Sequence, residues 1–185
     1  MYKLLGFECF AYVKRASSHL KSHAKWGKTT VGGFFGFKLH LVINHHAEIV
    51  ALKWTTGKLG DRKPVPEMVE GMKGKAFANR GSISEKLTHT LMQKGIHLFT
   101  KAKKKMKNKW ITLVDKLMLK KRAMIKSVNH LLKNSCQIEH HRHRSRWNFL
   151  SNLMAGLANY CLNPSKLRLF FPKTEIEAAR LLEYF

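Results

Sequence analysis

The sequence predicts an α/β fold, a mixed sheet with helices packed against it. Three observations carry that expectation. Residues 33–44 alternate as a strand does, with Phe35, Phe37, Leu39, Leu41 and Ile43 on one side and Gly36, Lys38, His40 and Val42 on the other. Ser82-Ile-Ser-Glu85 reads as a capping box at the head of a helix whose apolar stripe is Ile83, Leu87 and Leu91. Residues 119–133 have helical spacing, with Ile125 and Val128 and Leu132 on one side and Val114 and Leu117 continuing it upstream. Strands and helices interleaved in this way bury their apolar faces as layers. Element order alone selects no single member of that class.

Composition bounds the partners more tightly than the fold. The chain has 185 residues, room for one domain with a core, and 44% of them are hydrophobic, too many for a disordered tail. Lys and Arg number 35 against 11 Asp and Glu, a formal net charge of +24. Such a field attracts polyanions, nucleic acid first and an anionic surface second. No apolar run approaches the ~20 residues of a membrane span. The N-terminus carries Glu8 and no small-residue cleavage site, so it does not read as a signal peptide. Cys9, Cys136 and Cys161 are odd in number and far apart, as reduced thiols are. The expected location is the cytoplasm, on the nucleoid when DNA is bound.

In order along the chain, residues 1–31 are basic and read as loop or partial helix. His19 and His23 have the separation of two helical metal ligands but no Glu beside the first and no third ligand, so they are read as solvent-facing. The strand at 33–44 turns at 44–47 into a second strand, 48–55, giving an antiparallel hairpin with one face buried. Lys38 and His40 fall on the other face with Gly36, where they could meet a nucleic-acid backbone. In the connector 56–61, Asp61 is the expected N-cap of a helix with Pro64 in its first turn, reaching about residue 72 with Val65, Met68 and Val69 inward. Gly74 opens a strand at 75–79. The capped helix ends at Gly95, and 96–100 is one more strand. A basic loop follows, containing Lys101, Lys103, Lys104 and Lys105.

The long helix then places Arg122, Lys126 and Lys133 within roughly 40° of one another, beside its apolar stripe. The cluster His140, His141, Arg142, His143, Arg144, Arg146 extends this cationic row. With Cys136 these histidines lack the paired spacing of a structural zinc site, so no metal site is expected. A helix at 147–161 would bury Leu150, Leu153, Met154, Leu157 and Cys161, and Asn163-Pro164 stops it. Residues 174–185 form a short amphipathic segment containing Glu175, Glu177 and Glu183, for which the sequence suggests no role.

Several of these stretches together resemble bacterial insertion-sequence transposases of the DDE class. The Arg122, Lys126, Lys133 spacing is similar to the family's C-terminal signature, in which an aromatic residue leads to Arg, Glu and Lys. Leu119 stands at the aromatic position and Lys126 at that of the catalytic Glu. Gly33-Phe-Phe-Gly-Phe-Lys-Leu-His resembles a family strand, Ala78-Asn-Arg-Gly-Ser-Ile-Ser its Gly-Asp-Lys-Gly-Tyr-Ile-Ser, and Ile138-Glu-His-His-Arg-His-Arg-Ser its Ile-Glu-His-Ser-Arg-His-Arg-Ser. The resemblance implies three segments: a basic one at 1–31, a ribonuclease H-like domain at 32–163 and a tail at 164–185. It also implies DNA strand cleavage and joining through three carboxylates that hold two divalent ions, usually magnesium.

This sequence departs from that chemistry at each position. Residues 1–32 contain no Asp, Asn79 stands at the second position and Lys126 at the third. Asp61, Asp115 and Glu139 are the acids that could rebuild a site; the first has a capping role, the second precedes Lys126 by eleven residues, and the third lies in a non-catalytic part of the motif. The expectation is therefore an N-terminally truncated, degenerate transposase, its sheet incomplete at the N-terminus. It would bind DNA through Lys38, His40, Lys101, Lys103, Lys104, Lys105, Arg122, Lys126, Lys133, Arg142, Arg144 and Arg146, with no cofactor in this chain and Mg2+ in intact relatives. Homo-oligomers, or pairing with a full-length transposase, are left open. The alternative is a non-enzymatic basic protein that binds nucleic acid or an anionic surface.

Overall fold

A computed structural model describes residues 6–12, 24–29, 32–78, 84–100, 112–121, 123–138 and 145–166, the first of these stretches by its backbone alone. The sheet is organised on β3 (Gly32–Ile43), the long alternating strand. β4 (Ile49–Thr56) lies antiparallel on it, Leu41 opposite Leu52 and Phe37 opposite Thr56. β1 (Gly6–Tyr12) is also antiparallel to β3, from Gly6–Ile43 to Tyr12–Phe37. Its other edge pairs in parallel with β5 (Gly74–Ala78) through Gly6–Phe77 and Phe7–Ala78. β6 (Ile96–Thr100) continues the parallel half beside β5. β2 (Lys25–Thr29) pairs antiparallel with the first residues of β3.

Two expectations change here. The first strand, expected to be missing, is present as β1 and lies between β3 and β5. The stretch read as loop or partial helix contains β2. Both strands are short and mix Gly or charge with aromatics, so neither shows a clean period of two on its own.

Helices cover both faces of the sheet. On one face, α1 (Val65–Met68) and α2 (Glu85–Gln93) bury Val65, Met68, Leu87 and Leu91 against Val42, Ala76, Ala78 and Ile96. On the other, α4 (Met124–His130) and α5 (Arg146–Leu162) bury Ile125, Val128, Phe149, Leu153, Leu157 and Tyr160 against Phe37, Leu39, Leu41 and Ile43. α3 (Leu113–Lys121) packs at β5 and β6, with Val114, Met118 and Leu119 buried. β3 thus has both faces buried over most of its length, whereas β4 keeps Val50 and Leu52 exposed. Tyr160 closes this layer, its hydroxyl donating at 2.6 Å to the Ala47 carbonyl in the β3–β4 turn. Burial pushes the Tyr160 hydroxyl up to about 12, so it remains a donor at neutral pH.

Local chemistry sets the ends of the helices. The cap of α2 is Ser84, whose Oγ accepts from the Leu87 N–H at 3.2 Å. The capping box therefore sits two residues later than expected and lacks its Glu at N3. α1 stops at Met68, well short of residue 72, and begins at Pro64 with no side-chain cap. Asp61 is engaged elsewhere. The long helix is broken into α3 and α4, and α4 runs into a π-helical turn, Leu131–Ser135, where the Cys136 N–H reaches the Leu131 carbonyl. On α5 the buried side is Phe149, Leu153, Leu157 and Tyr160, whereas Met154 and Cys161 are exposed and Leu150 is half-buried. The stripe is rotated because Gly156 also faces inward: a Cβ there would lie 2.1 Å from Ile138 Cγ2. The segment 174–185 lies outside the described residues.

Candidate nucleic-acid interface

Lys38 and His40, expected on an open face, are buried at 5% and 4% exposure. Their parity along β3 is as read, but the loop after β4 folds over them. Lys38 Nζ donates to Asp61 Oδ1 at 2.7 Å and to the Leu59 carbonyl at 3.0 Å. His40 Nε2 lies 2.8 Å from Thr55 Oγ1. A buried ammonium needs such partners because desolvation is otherwise costly. Lys38 therefore ties the loop to the sheet and His40 bonds across to β4, so neither faces a phosphate backbone. Nearby, Lys53 pairs with Glu67 at the start of α1.

His40 gives this cluster a pH dependence. Burial lowers its pKa to about 4; Asp61 opposes that shift, while Lys38 and Lys53 add to it. Between about pH 6.5 and 4 the unfolded chain takes up a proton that the folded chain refuses, so stability must fall as pH falls. The loss is complete below about pH 4, where both states are protonated. Each pKa unit is worth about 1.4 kcal/mol, so the drop from 6.5 to about 4 is worth roughly 3 kcal/mol. Denaturant melts of the protein and His40→Gln from pH 7 to 4 are expected to converge as pH falls; parallel curves contradict this.

A buried acid is also engaged. Asp115, 2% exposed on α3, accepts from Lys75 Nζ at 2.8 and 2.9 Å. Lys75 lies 5.4 Å from the centroid of the Phe99 ring, which stacks on Phe77. Forty residues separate the ion-pair partners in sequence, so no local pattern could have signalled the pair.

Three elements converge here. α4 packs on β1, and the end of β5 pairs with β1 at Phe7–Ala78. Lys126 is exposed on α4, and no group of three His, Cys, Asp or Glu suited to a metal occurs among the described residues. Asp61 and Asp115 each face a lysine. Metal coordination by these two acids would require those lysines to leave.

The cationic row is only partly regular. Lys126 is exposed and Lys133 half-buried, because the π turn shifts the register between them. Arg146 opens α5. Asn79, Lys101, Lys103, Lys104, Lys105, Arg122, Glu139, Arg142 and Arg144 lie outside the described residues. No helix of the described residues is long and apolar enough to cross a membrane.

Comparison with known proteins places these features. A family model described as "Transposase DDE domain" matches residues 9–146. The fold is similar to a piggyBac transposase in a synaptic complex with hairpin DNA, with a TM-score of 0.57 at 9% identity over 85% of this chain and 45% of that one. This chain thus spans less than half the length of that transposase. A simian T-cell lymphotropic virus intasome in complex with a PP2A regulatory subunit matches at a TM-score of 0.36 and 11% identity, over 91% of this chain and 50% of that one, too weak a likeness to bear on the fold. No curated protein matches the sequence. The first likeness agrees with a ribonuclease H-like mixed sheet.

Proposed function

Since the chain belongs to the transposase DDE domain family, we propose that it acts on DNA as a transposase-derived binding domain whose metal-dependent strand cleavage is lost. The observation that carries this reading is Lys126, an exposed cation on the helix that packs against β1, where the family places its catalytic Glu. Two like unit charges ~4 Å apart repel by about 4 kcal/mol at an effective dielectric of 20. A divalent ion at this place meets an ammonium where it needs an anionic oxygen. The described residues do not fit a two-ion centre.

Binding needs none of that. A net charge of +24 supports attraction to any polyphosphate, without base readout. Phosphate contacts alone give sequence-tolerant binding. The test is incubation with supercoiled plasmid in Mg2+ or Mn2+. The expected result is retarded DNA that remains supercoiled after the protein is stripped. Nicked or joined products overturn the loss of cleavage, and an unretarded plasmid overturns the binding.

A further inference from the structure

The β2–β3 ribbon presents a surface that none of these roles uses. Its register sets Trp26 opposite Phe35 and Lys28 opposite Gly33. Opposed residues, and alternate residues along one strand, share a face. Trp26, Lys28, Phe35 and Gly33 therefore lie on one side of the ribbon. Trp26 is 71% exposed, yet its ring is not loose: it rests against Phe35, with centroids 5.7 Å apart and planes at 60°. Lys25 and Lys28 are exposed on either side of it in sequence. Gly32 and Gly33 leave the neighbouring surface clear of side chains, and a Cβ at Gly32 would meet nothing within 4 Å.

The base of the ribbon is fixed by close backbone approach. A Cβ on Gly27 would lie 2.3 Å from the Gly57 carbonyl oxygen, and one on Gly57 would lie 2.5 Å from that of Lys25. Only glycine allows the two chains to come so near. The indole is thus held on a braced two-stranded arm, tilted against Phe35 with most of its surface in water.

An exposed indole with flanking ammoniums and no acid across residues 25–29 and 32–36 suits a partner that is both aromatic and anionic. We propose that this ribbon is a stacking platform for an unpaired nucleobase, with Trp26 taking the base and Lys28, on the same face, an adjoining phosphate. The proposal rests on the reading of the chain as DNA-binding and adds the state of the DNA it grips. Bases inside a duplex have their π-faces occupied by neighbours; a single strand or a splayed end offers one free. Stacking on an aromatic side chain tolerates any base, in keeping with binding that lacks sequence readout.

The test is fluorescence anisotropy of a labelled single strand and of its duplex, at one salt concentration, with the full chain. Trp26→Ala is expected to weaken single-strand binding by about tenfold or more. Its duplex affinity should stay within about twofold, since duplex binding draws on phosphate contacts across the whole basic surface. Trp26→Phe, which keeps an aromatic face, should recover most of the loss; it decides the matter if Trp26→Ala also lowers the melting temperature. Equal losses on both DNAs, or none on the single strand, overturn the platform while leaving DNA binding intact. A wild-type chain that binds neither DNA overturns both readings. Self-association that disappears in Trp26→Ala, with single-strand affinity unchanged, assigns the indole to a contact between copies and overturns the proposal.

Discussion

Phe149→Ala is expected to destabilise the protein by about 3–5 kcal/mol, the range for truncating a fully buried aromatic. Phe149 has no exposed surface and lies where α5 meets the sheet. Its ring stacks on Phe37 with centroids 5.8 Å apart and meets the edge of Trp54 at 4.9 Å. Phe37 and Trp54 contact each other at 4.7 Å, so three rings from β3, β4 and α5 form one unit. Deleting one leaves the other two facing a cavity that neither strand can close, because both are fixed by the ladder. A domain of this size has only about 5–15 kcal/mol of stability to lose. Urea melts followed by circular dichroism measure the loss. A cost under about 1 kcal/mol would place α5 off the sheet and contradict the described packing.

The largest effect belongs to binding. If the cationic surface engages six to ten phosphates, affinity for DNA should fall by about 10³–10⁵ between roughly 50 and 200 mM salt. The slope of log affinity against log salt is about −0.9 per phosphate neutralised on duplex DNA. Lys126→Gln should reduce that slope by about one without changing preference among sequences. A flat salt dependence contradicts binding through the basic surface.

What the sequence could reveal follows from how local each feature is. The ladder residues of β3, the residues 96–100 of β6 and the stripe of α2 were legible because their periods are intact over the whole element. β1 was not, since its sheet position comes from two partner strands far away in sequence. The burial of Lys38 and His40 was illegible for a related reason. Alternation names the face on which a side chain lies, but only the loop bearing Asp61 decides that this face is covered. The break between α3 and α4 and the π turn after α4 similarly changed a single predicted cationic helix into a row out of register. Lys126 in place of a carboxylate is a statement about residue type, and folding cannot alter it.

The account turns on that replacement, so the most direct measurement is calorimetric titration of the full chain with Mn2+. It predicts no saturable uptake of two ions per chain, and none gained on adding DNA. Two-ion binding that is lost in Asp61→Asn, Asp115→Asn or Glu139→Gln would show that the acids outside the family positions have rebuilt a metal centre, and would contradict it.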